Sequence, residues 1–294
     1  MSFSLPESRI FPNFVLSAAS TRRTGGKAAY AFFPESKEEL CCALADAEKT
    51  GLRTVLAGGA SNILFPDDAS ELCVIFTKKI TVPLSFEEQT VRVGCGVMLP
   101  VLASEAARRG FSGLEFASGI PGTVGGALYM NAGAYGGETG RIVRSVTVLS
   151  KKTKAFSVLT REECAFAYRH TVFSENRDRI AVEAVFELQK GNPEEIAAKC
   201  AELKKMRREK QPLEYPSCGS AFKRPEGHFA GKLIEDCGLK GYAVGGAAVS
   251  EKHAGFIINR GGATSRDVCG LIAEVQRIVL EKTGVRLEPE IEIL

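Results

Sequence analysis

Two short stretches of this 294-residue chain hold the residue types from which a cradle for a phosphate and a flat ring can be built. "LAGGASNILF" (56–65) places Gly58, Gly59, Ala60, Ser61 and Asn62 in a row behind an apolar run. "SGIPGTVGGALYMNAG" (118–133) places Gly122, Thr123, Val124 and Gly125 ahead of Asn131, Ala132 and Gly133. Residues without a Cβ let backbone N–H groups approach a ligand and form concave anion-binding nests. Ser61, Thr123 and the amides of Asn62 and Asn131 add donors with little bulk, and Gly125 and Gly133 leave room for a ring. Two such loops on neighbouring strands would cradle a diphosphate and the edge of a flat ring. The spacing is not that of a Walker loop, since no Gly-Lys-Ser/Thr follows, nor of a dinucleotide fingerprint after a first strand. A single Gly-Gly pair is more often a tight turn. Residues 119–138 differ in kind, because seven of the chain's 30 glycines fall there with one charge, Glu138. This stretch is expected neither to pack a core nor to build a good helix, so its bare backbone calls for a ligand.

The elements that must hold these loops follow from periodicity and punctuation. "SKEELCCALADAEKTG" opens on Ser36 as a cap with Glu39 three residues on, carries Leu40, Leu44 and Ala47 at helical spacing, and stops at Gly51. "LRTVLAGG", "LCVIF" and "TVRVG" read as short strands, and "LPVLASEAARRG" (99–110) as an amphipathic helix with a Gly stop. "IVRSVTVLS" and "RIAVEAVFEL" are strand patterns rich in Val and Ile. Near Gly191 the pattern changes. Asn192 caps a helix with Pro193 at its first position, striped by Ile196, Cys200 and Leu203. A final helix runs from Ser265 to Gly284 with Val268, Leu271, Ile272, Val275 and Val279 on one face. A domain boundary is expected near residue 190.

Composition narrows the function. Hydrophobic content of 45% and charged content of 25% are ordinary for a globular chain. No apolar run of about 18 residues exists, so no membrane span is expected, and "MSFSLPESRIFPNF" lacks the apolar segment of a secretory signal. A net charge of +3 is too small to argue for nucleic acid, and "KKMRREK" reads as the solvated face of a helix. Nine cysteines without a C-x-x-C spacing read as reduced, mostly buried thiols. The three histidines, His170, His228 and His253, form no local metal pattern, and no metal is expected.

The segment 118–138 with "LAGGASN" upstream resembles the UDP-N-acetylenolpyruvoylglucosamine reductase family. The resemblance continues through "TRRTGGKAAY", "YRHTVF", "CGSAFKRP", "AGKLIEDCGLKGY", "GGAAVSEKHAGFIIN" and "LEPEIEI", in the family's order over nearly the whole chain. The short span from Tyr168 to Ser220 resembles the second subtype, which lacks an inserted substrate loop. The resemblance implies an α+β fold: a two-lobed FAD-binding domain of the vanillyl-alcohol-oxidase type over residues 1–190, and a smaller C-terminal α/β substrate domain over residues 191–294. It implies non-covalent FAD held at Gly58, Gly59, Ala60, Ser61, Asn62, Gly122, Thr123, Val124, Gly125, Asn131, Ala132 and Gly133. It also implies NADPH as hydride donor, a nucleotide-sugar substrate, and a monomer working in the cytoplasm toward peptidoglycan.

The family's reaction reduces an enolpyruvyl group beside a carboxylate, which needs charge stabilisation, a grip on the carboxylate and a proton for the adjacent carbon. Arg169 is a permanent fork of donors suited to a carboxylate or enolate oxygen. Ser220 matches the proton donor. Glu288, Glu290 and Glu292 alternate, so a strand places all three on one face and period alone does not choose among them. The resemblance selects Glu290 through the pair Pro289-Glu290. It also assigns Tyr168, Lys210, Lys240 and, more weakly, His253 to the substrate. A lone Arg or Lys is otherwise most often a solvated surface charge. Arg224, Gly255 and Glu292 depart from the family's common Asn, Asn and Arg. Two rivals are another FAD-dependent oxidoreductase of the same domain family and a non-catalytic flavin-binding module. Many of the former anchor FAD through His, and neither glycine-rich loop contains one.

Overall fold

The computed structural model describes residues 2–80 and 82–294. Its helices begin and end where capping chemistry places them. The helix Lys37–Thr50 starts at Ser36, whose side chain accepts the Glu39 N–H at 3.0 Å. The Glu39 carboxylate reaches back to the N–H of Glu35 at 2.8 Å, one residue ahead of the cap. Leu40, Ala43, Leu44 and Ala47 are buried, and Gly51 ends the helix in the left-handed region at φ 68°. The helix Leu99–Arg108 buries Leu99, Leu102, Ala103 and Ala106. In Pro193–Lys210, Asn192 Oδ1 accepts the Glu194 N–H at 2.9 Å, and Ile196, Cys200 and Leu203 are the buried residues. The final helix, Ser265–Thr283, is capped by Thr264 in a reciprocal box with Asp267. Its expected apolar face is buried throughout.

A four-stranded sheet runs in the order Ile10–Val15, Lys27–Phe32, Ala69–Phe76, Arg53–Ala57. The chain divides into two compact units. The first comprises Met1–Phe11, Tyr30–Gly59 and Cys73–Met206, and the second Pro12–Ala29, Ala60–Leu72 and Arg207–Leu294. In the first unit an antiparallel sheet runs in the order Phe156–Thr160, Val143–Ser150, Arg179–Glu187, Thr90–Gly94, Ser85–Glu87. Its core gathers Val91, Val93, Leu102, Phe111, Val146 and Phe186. A second core of this unit surrounds the helix Lys37–Thr50. Asp46 lies fully buried there and accepts the N–H groups of Ser4 and Leu5, each at 2.7 Å, and the Lys49 ammonium at 2.6 Å. Burial alone would raise its pKa, but these donors outweigh it and hold the carboxyl below the usual range. A lowered folded-state pKa stabilises the fold above the ordinary aspartate value, and that gain is lost as pH falls through the lowered one. Asp46→Asn is therefore expected to cost about 1.5–3 kcal/mol near neutral pH. The gap in melting temperature from the parent should close as the solution is acidified. A gap that does not depend on pH would show that the carboxylate's charge contributes nothing.

In the second unit an antiparallel sheet runs Ser217–Ser220, Phe256–Asn259, Ala247–Val249, Ala243–Val244. Glu292–Ile293 pairs in parallel with Ile63–Leu64. Leu64, Phe222, Ile234, Val249, Leu271 and Val275 lie in one core. Asp67 holds the start of the final helix, accepting the Ser265 N–H at 2.7 Å and the Arg266 N–H at 2.9 Å. Arg22 is fully buried, and its Nη1 donates to the Ile257 carbonyl at 2.8 Å.

The glycine-rich stretch departs from expectation. Val124–Met130 is a helix, with Thr123 as cap and Asn131 left-handed at its end. Val124, Ala127 and Leu128 belong to the core. Their spacing is helical, and two central glycines had masked it. Gly133–Ala134 and Gly137–Glu138 then pair as a hairpin. Its two loop residues, Tyr135 and Gly136, both have positive φ, at 51° and 84°, as a tight two-residue turn requires.

Candidate active site

In the first unit the two glycine-rich turns meet. A Cβ at Gly58 would lie 2.3 Å from Thr123 Oγ1, and one at Gly59 2.9 Å from Gly122 Cα. Glycine lets the two turns meet there, Gly58 lying on the Thr123 side chain and Gly59 on the Gly122 backbone. The same holds at the two positions expected to leave room for a ring. A Cβ at Gly125 would meet Cys95 Cβ at 3.1 Å, and one at Gly133 would meet the Gly137 carbonyl oxygen at 2.6 Å. What those glycines make way for is the neighbouring chain. Several amides of the turn are also committed. Val124 N–H donates to Val97 O and Gly125 N–H to Cys95 O, both at 2.9 Å, and Gly126 N–H to Thr123 Oγ1 at 3.3 Å. No carboxylate occurs in residues 56–62 or 118–137. Apposed, uncharged, backbone-lined turns suit an anionic diphosphate and the edge of a planar ring, so the residues present fit FAD.

Arg169 stands in a turn whose geometry the sequence did not announce. Ala167 and His170 bond each other's backbone at 3.0 and 3.2 Å, with Tyr168 and Arg169 between them. Arg169 has φ 53°, the third-residue conformation of a type II turn, where Gly or Asn is usual. A left-handed residue with a long side chain is strained and persists only where its surroundings hold it. Asn131 Nδ2 donates to Ala167 O at 2.9 Å, and Thr171 Oγ1 donates to Tyr129 O at 3.0 Å. The Arg169 guanidinium lies 5.0 Å from the centre of the exposed Tyr168 ring, a cation–π contact. Thr171, fully buried, is an anchor that the sequence reading missed. Its signal was a hydroxyl residue three positions ahead of Ser174, a small capping box.

In the second unit, residues from three distant stretches converge. Glu290 N–H donates to Ala221 O at 2.8 Å, beside Ser220, and Asn62 Nδ2 donates to Glu290 O at 2.9 Å. Ser220 ends a strand that is out of register between Ser217 and Ser220, with Gly219 left-handed at φ 76°. Bulges of this kind re-aim a side chain, and Ser220 is exposed. Of the three alternating glutamates Glu288 stands apart, since Glu292 is half-buried like Glu290. Glu288 is exposed and pairs with Lys223 at 3.5 Å, whereas Glu290 is half-buried.

Of the other expected substrate residues, Lys210 is the exposed last residue of its helix. Lys240 already has a partner, Glu235 Oε1, at 2.7 Å. That hydrogen bond holds the Glu235 carboxyl below its usual range. Burial lowers the pKa of His253, which favours the neutral ring, and its Nδ1 accepts the Gly255 N–H at 3.1 Å. A Cβ at position 255 would lie 3.0 Å from His253 Cε1, so the departure to Gly there lets the imidazole pack on the chain. Arg224 lies over the exposed Phe229 ring at 4.7 Å. All nine cysteines are free thiols, and burial pushes Cys73 and Cys164 up to about 12. Among the described residues no group of His, Cys, Asp and Glu could hold a metal, and no helix is long and apolar enough to cross a membrane.

Comparison with known proteins adds an independent line. The C-terminal domain of UDP-N-acetylenolpyruvoylglucosamine reductase matches residues 211–294, and an FAD binding domain matches residues 28–158. The UDP-N-acetylenolpyruvoylglucosamine reductase of Lachnoclostridium phytofermentans is 45% identical over 290 residues, covering 97% of this chain and 93% of its own. That of Latilactobacillus sakei is 45% identical over 284 residues, covering 96% and 92%. The crystal structure of the Thermus caldophilus reductase matches with a TM-score of 0.79 at 36% identity, covering 95% of this chain and 97% of that one.

Proposed function

The chain belongs to the UDP-N-acetylenolpyruvoylglucosamine reductase family, and from that premise we propose that Arg169, Ser220 and Glu290 carry its chemistry. The protein is an FAD-dependent oxidoreductase, a UDP-N-acetylmuramate dehydrogenase, that uses NADPH to reduce UDP-N-acetylglucosamine enolpyruvate in peptidoglycan precursor synthesis. When bound, FAD supplies the enolpyruvyl double bond with a hydride taken from NADPH. Every other task falls to side chains. The Arg169 fork holds the substrate carboxylate and opposes the negative charge that grows on its enolate oxygen. Ser220, turned out by the bulge at Gly219, gives a proton to the adjacent carbon. Glu290, when protonated, shares hydrogen bonds around the enol, and Tyr168 seats the substrate.

The observation that carries this reading is the bond from Glu290 N–H to Ala221 O, which sets Glu290 beside Ser220. Around FAD we place Gly58, Gly59, Ala60, Ser61, Asn62, Gly122 and Thr123, with the backbone of Ala132 and Gly133. Ligand contacts of the second turn fall on Gly122 and Thr123, ahead of the helical amides already committed to protein. Lys210, Lys240 and His253 serve the nucleotide-sugar. In this division of labour residues 1–190 bind FAD and residues 191–294 the substrate, in a cytoplasmic monomer. Anaerobic NADPH should bleach the flavin band of the purified protein, and the enolpyruvyl substrate should restore it. Failure of the substrate to restore the band would refute the reading. Heat should release free FAD, and flavin remaining with acid-precipitated protein would refute non-covalent binding.

The Lys240–Glu235 pair gives a signed test. If Lys240 meets the diphosphate, Lys240→Ala raises KM about ten- to a hundredfold and changes kcat less. Glu235→Gln frees the ammonium from a competing carboxylate. It should lower KM by no more than about fivefold, because exposed ion pairs are weak. A KM unmoved in Lys240→Ala would leave that lysine as Glu235's partner alone.

A further inference from the structure

Asn131 ends the helix Val124–Met130 in the left-handed region, at φ 42°. Glycine would serve there equally well, since a left-handed C-terminal residue is the usual helix stop. What asparagine adds is its amide, and the residue is only 1% exposed. Oδ1 accepts the Gly140 N–H at 2.8 Å and Nδ2 donates to Ala167 O at 2.9 Å. The backbone carbonyl of the same residue accepts Arg169 Nη1 at 3.5 Å. Asn131 thus touches the Arg169 turn at its first residue and at the tip of its cation.

We propose that the side chain of Asn131 is a positioning residue for Arg169, fixing the turn Ala167–His170 so that the guanidinium is aimed at the substrate, and is not a flavin ligand. The proposal rests on the reading of Arg169 as the catalytic cation. It explains how a strained, left-handed arginine keeps one orientation. Arg169 is only partly buried, and an arginine side chain at such a site has many rotamers to lose. Two of the anchors of its turn, at Ala167 O and Thr171 Oγ1, are on the last turn of one short helix and its cap.

The test uses FAD-loaded protein and four variants: Asn131→Gly, Asn131→Asp, Arg169→Ala and Asn131→Gly with Arg169→Ala. Asn131→Gly keeps the left-handed backbone and loses the amide. Asn131→Asp keeps the acceptor for Gly140 and loses the donor to Ala167. Both should retain stoichiometric FAD and normal bleaching by NADPH. Both should slow the substrate-driven return of absorbance about five- to tenfold, the upper range for one lost hydrogen bond between neutral groups. Asn131→Gly should cost less than about threefold more when Arg169 is already alanine, because interacting sites are not additive. Loss of FAD with a normal return rate in reloaded protein would place Asn131 in the flavin site and overturn the proposal. So would full multiplication of the two effects, or failure of both Asn131 variants to fold by circular dichroism. If Arg169→Ala leaves the return rate intact, the catalytic reading of Arg169 fails instead.

Discussion

Ser220→Ala is expected to leave the bleaching of flavin by NADPH near normal and to slow its recovery with the enolpyruvyl substrate by about 10²–10⁴-fold, the usual contribution of a positioned general acid. Bleaching needs no proton on carbon, whereas recovery does. The serine hydroxyl is a weak acid in water, so it works only with neighbours that stabilise the alkoxide or relay a proton. Glu290, half-buried and bonded through its backbone to Ala221, is the group we propose for that task. Ser220→Cys, more acidic than serine, should recover part of the loss. Stopped-flow absorbance follows the two halves separately. Equal slowing of both would make Ser220 a residue that holds the site together. An unaffected recovery would require another acid.

Arg169→Ala should cost about 10²–10³-fold in recovery, the range for removing one preorganised donor to a developing oxyanion. It should raise KM as well if, as proposed, the same fork holds the carboxylate before reaction. Arg169→Lys should recover little. Lysine keeps the charge but loses the planar two-point grip. Full recovery by lysine would show that only charge matters, and that the turn's geometry is incidental.

Much of the helical framework was legible because caps act locally. Ser36, Gly51, Asn192 and Gly284 each fix an end through bonds to residues within a turn or two. The glycine-rich stretch misled for a physical reason. Val124, Ala127 and Leu128 have core spacing, but Gly125 and Gly126 between them lower helix propensity, and only the close approach of Gly125 to Cys95 shows why glycine stands at the first of them. The left-handed turn at Arg169 was not legible at all. "AYRH" contains neither Gly nor Asn to signal positive φ, and Asn131, whose amide bonds Ala167 O, lies 36 residues from that alanine. The partner of Lys240 was hidden in the same way, because pairing with Glu235 depends on how a helix end meets a loop. Gly219 is the reverse case. A glycine inside a strand suggests a bulge, and "CGS" carried that signal unread.

The composition of the second unit sets a timetable for making the protein. Residues 12–29 and 60–72 leave the ribosome early, and although their strands share one sheet, several of their other partners are made much later. Arg22 bonds to Ile257, Asp67 to Ser265 and Arg266, and Ile63–Leu64 pairs with Glu292–Ile293. At synthesis rates of about 5–20 residues per second, these early segments wait on the order of ten to fifty seconds for their partners. Leu64, fully covered in the finished unit, has no core to enter during that interval. This unit is therefore completed only after residues 257–293 have been made. A nascent chain stalled before residue 260 should present these segments to chaperones and proteases, which would no longer reach them once the last strand has been made.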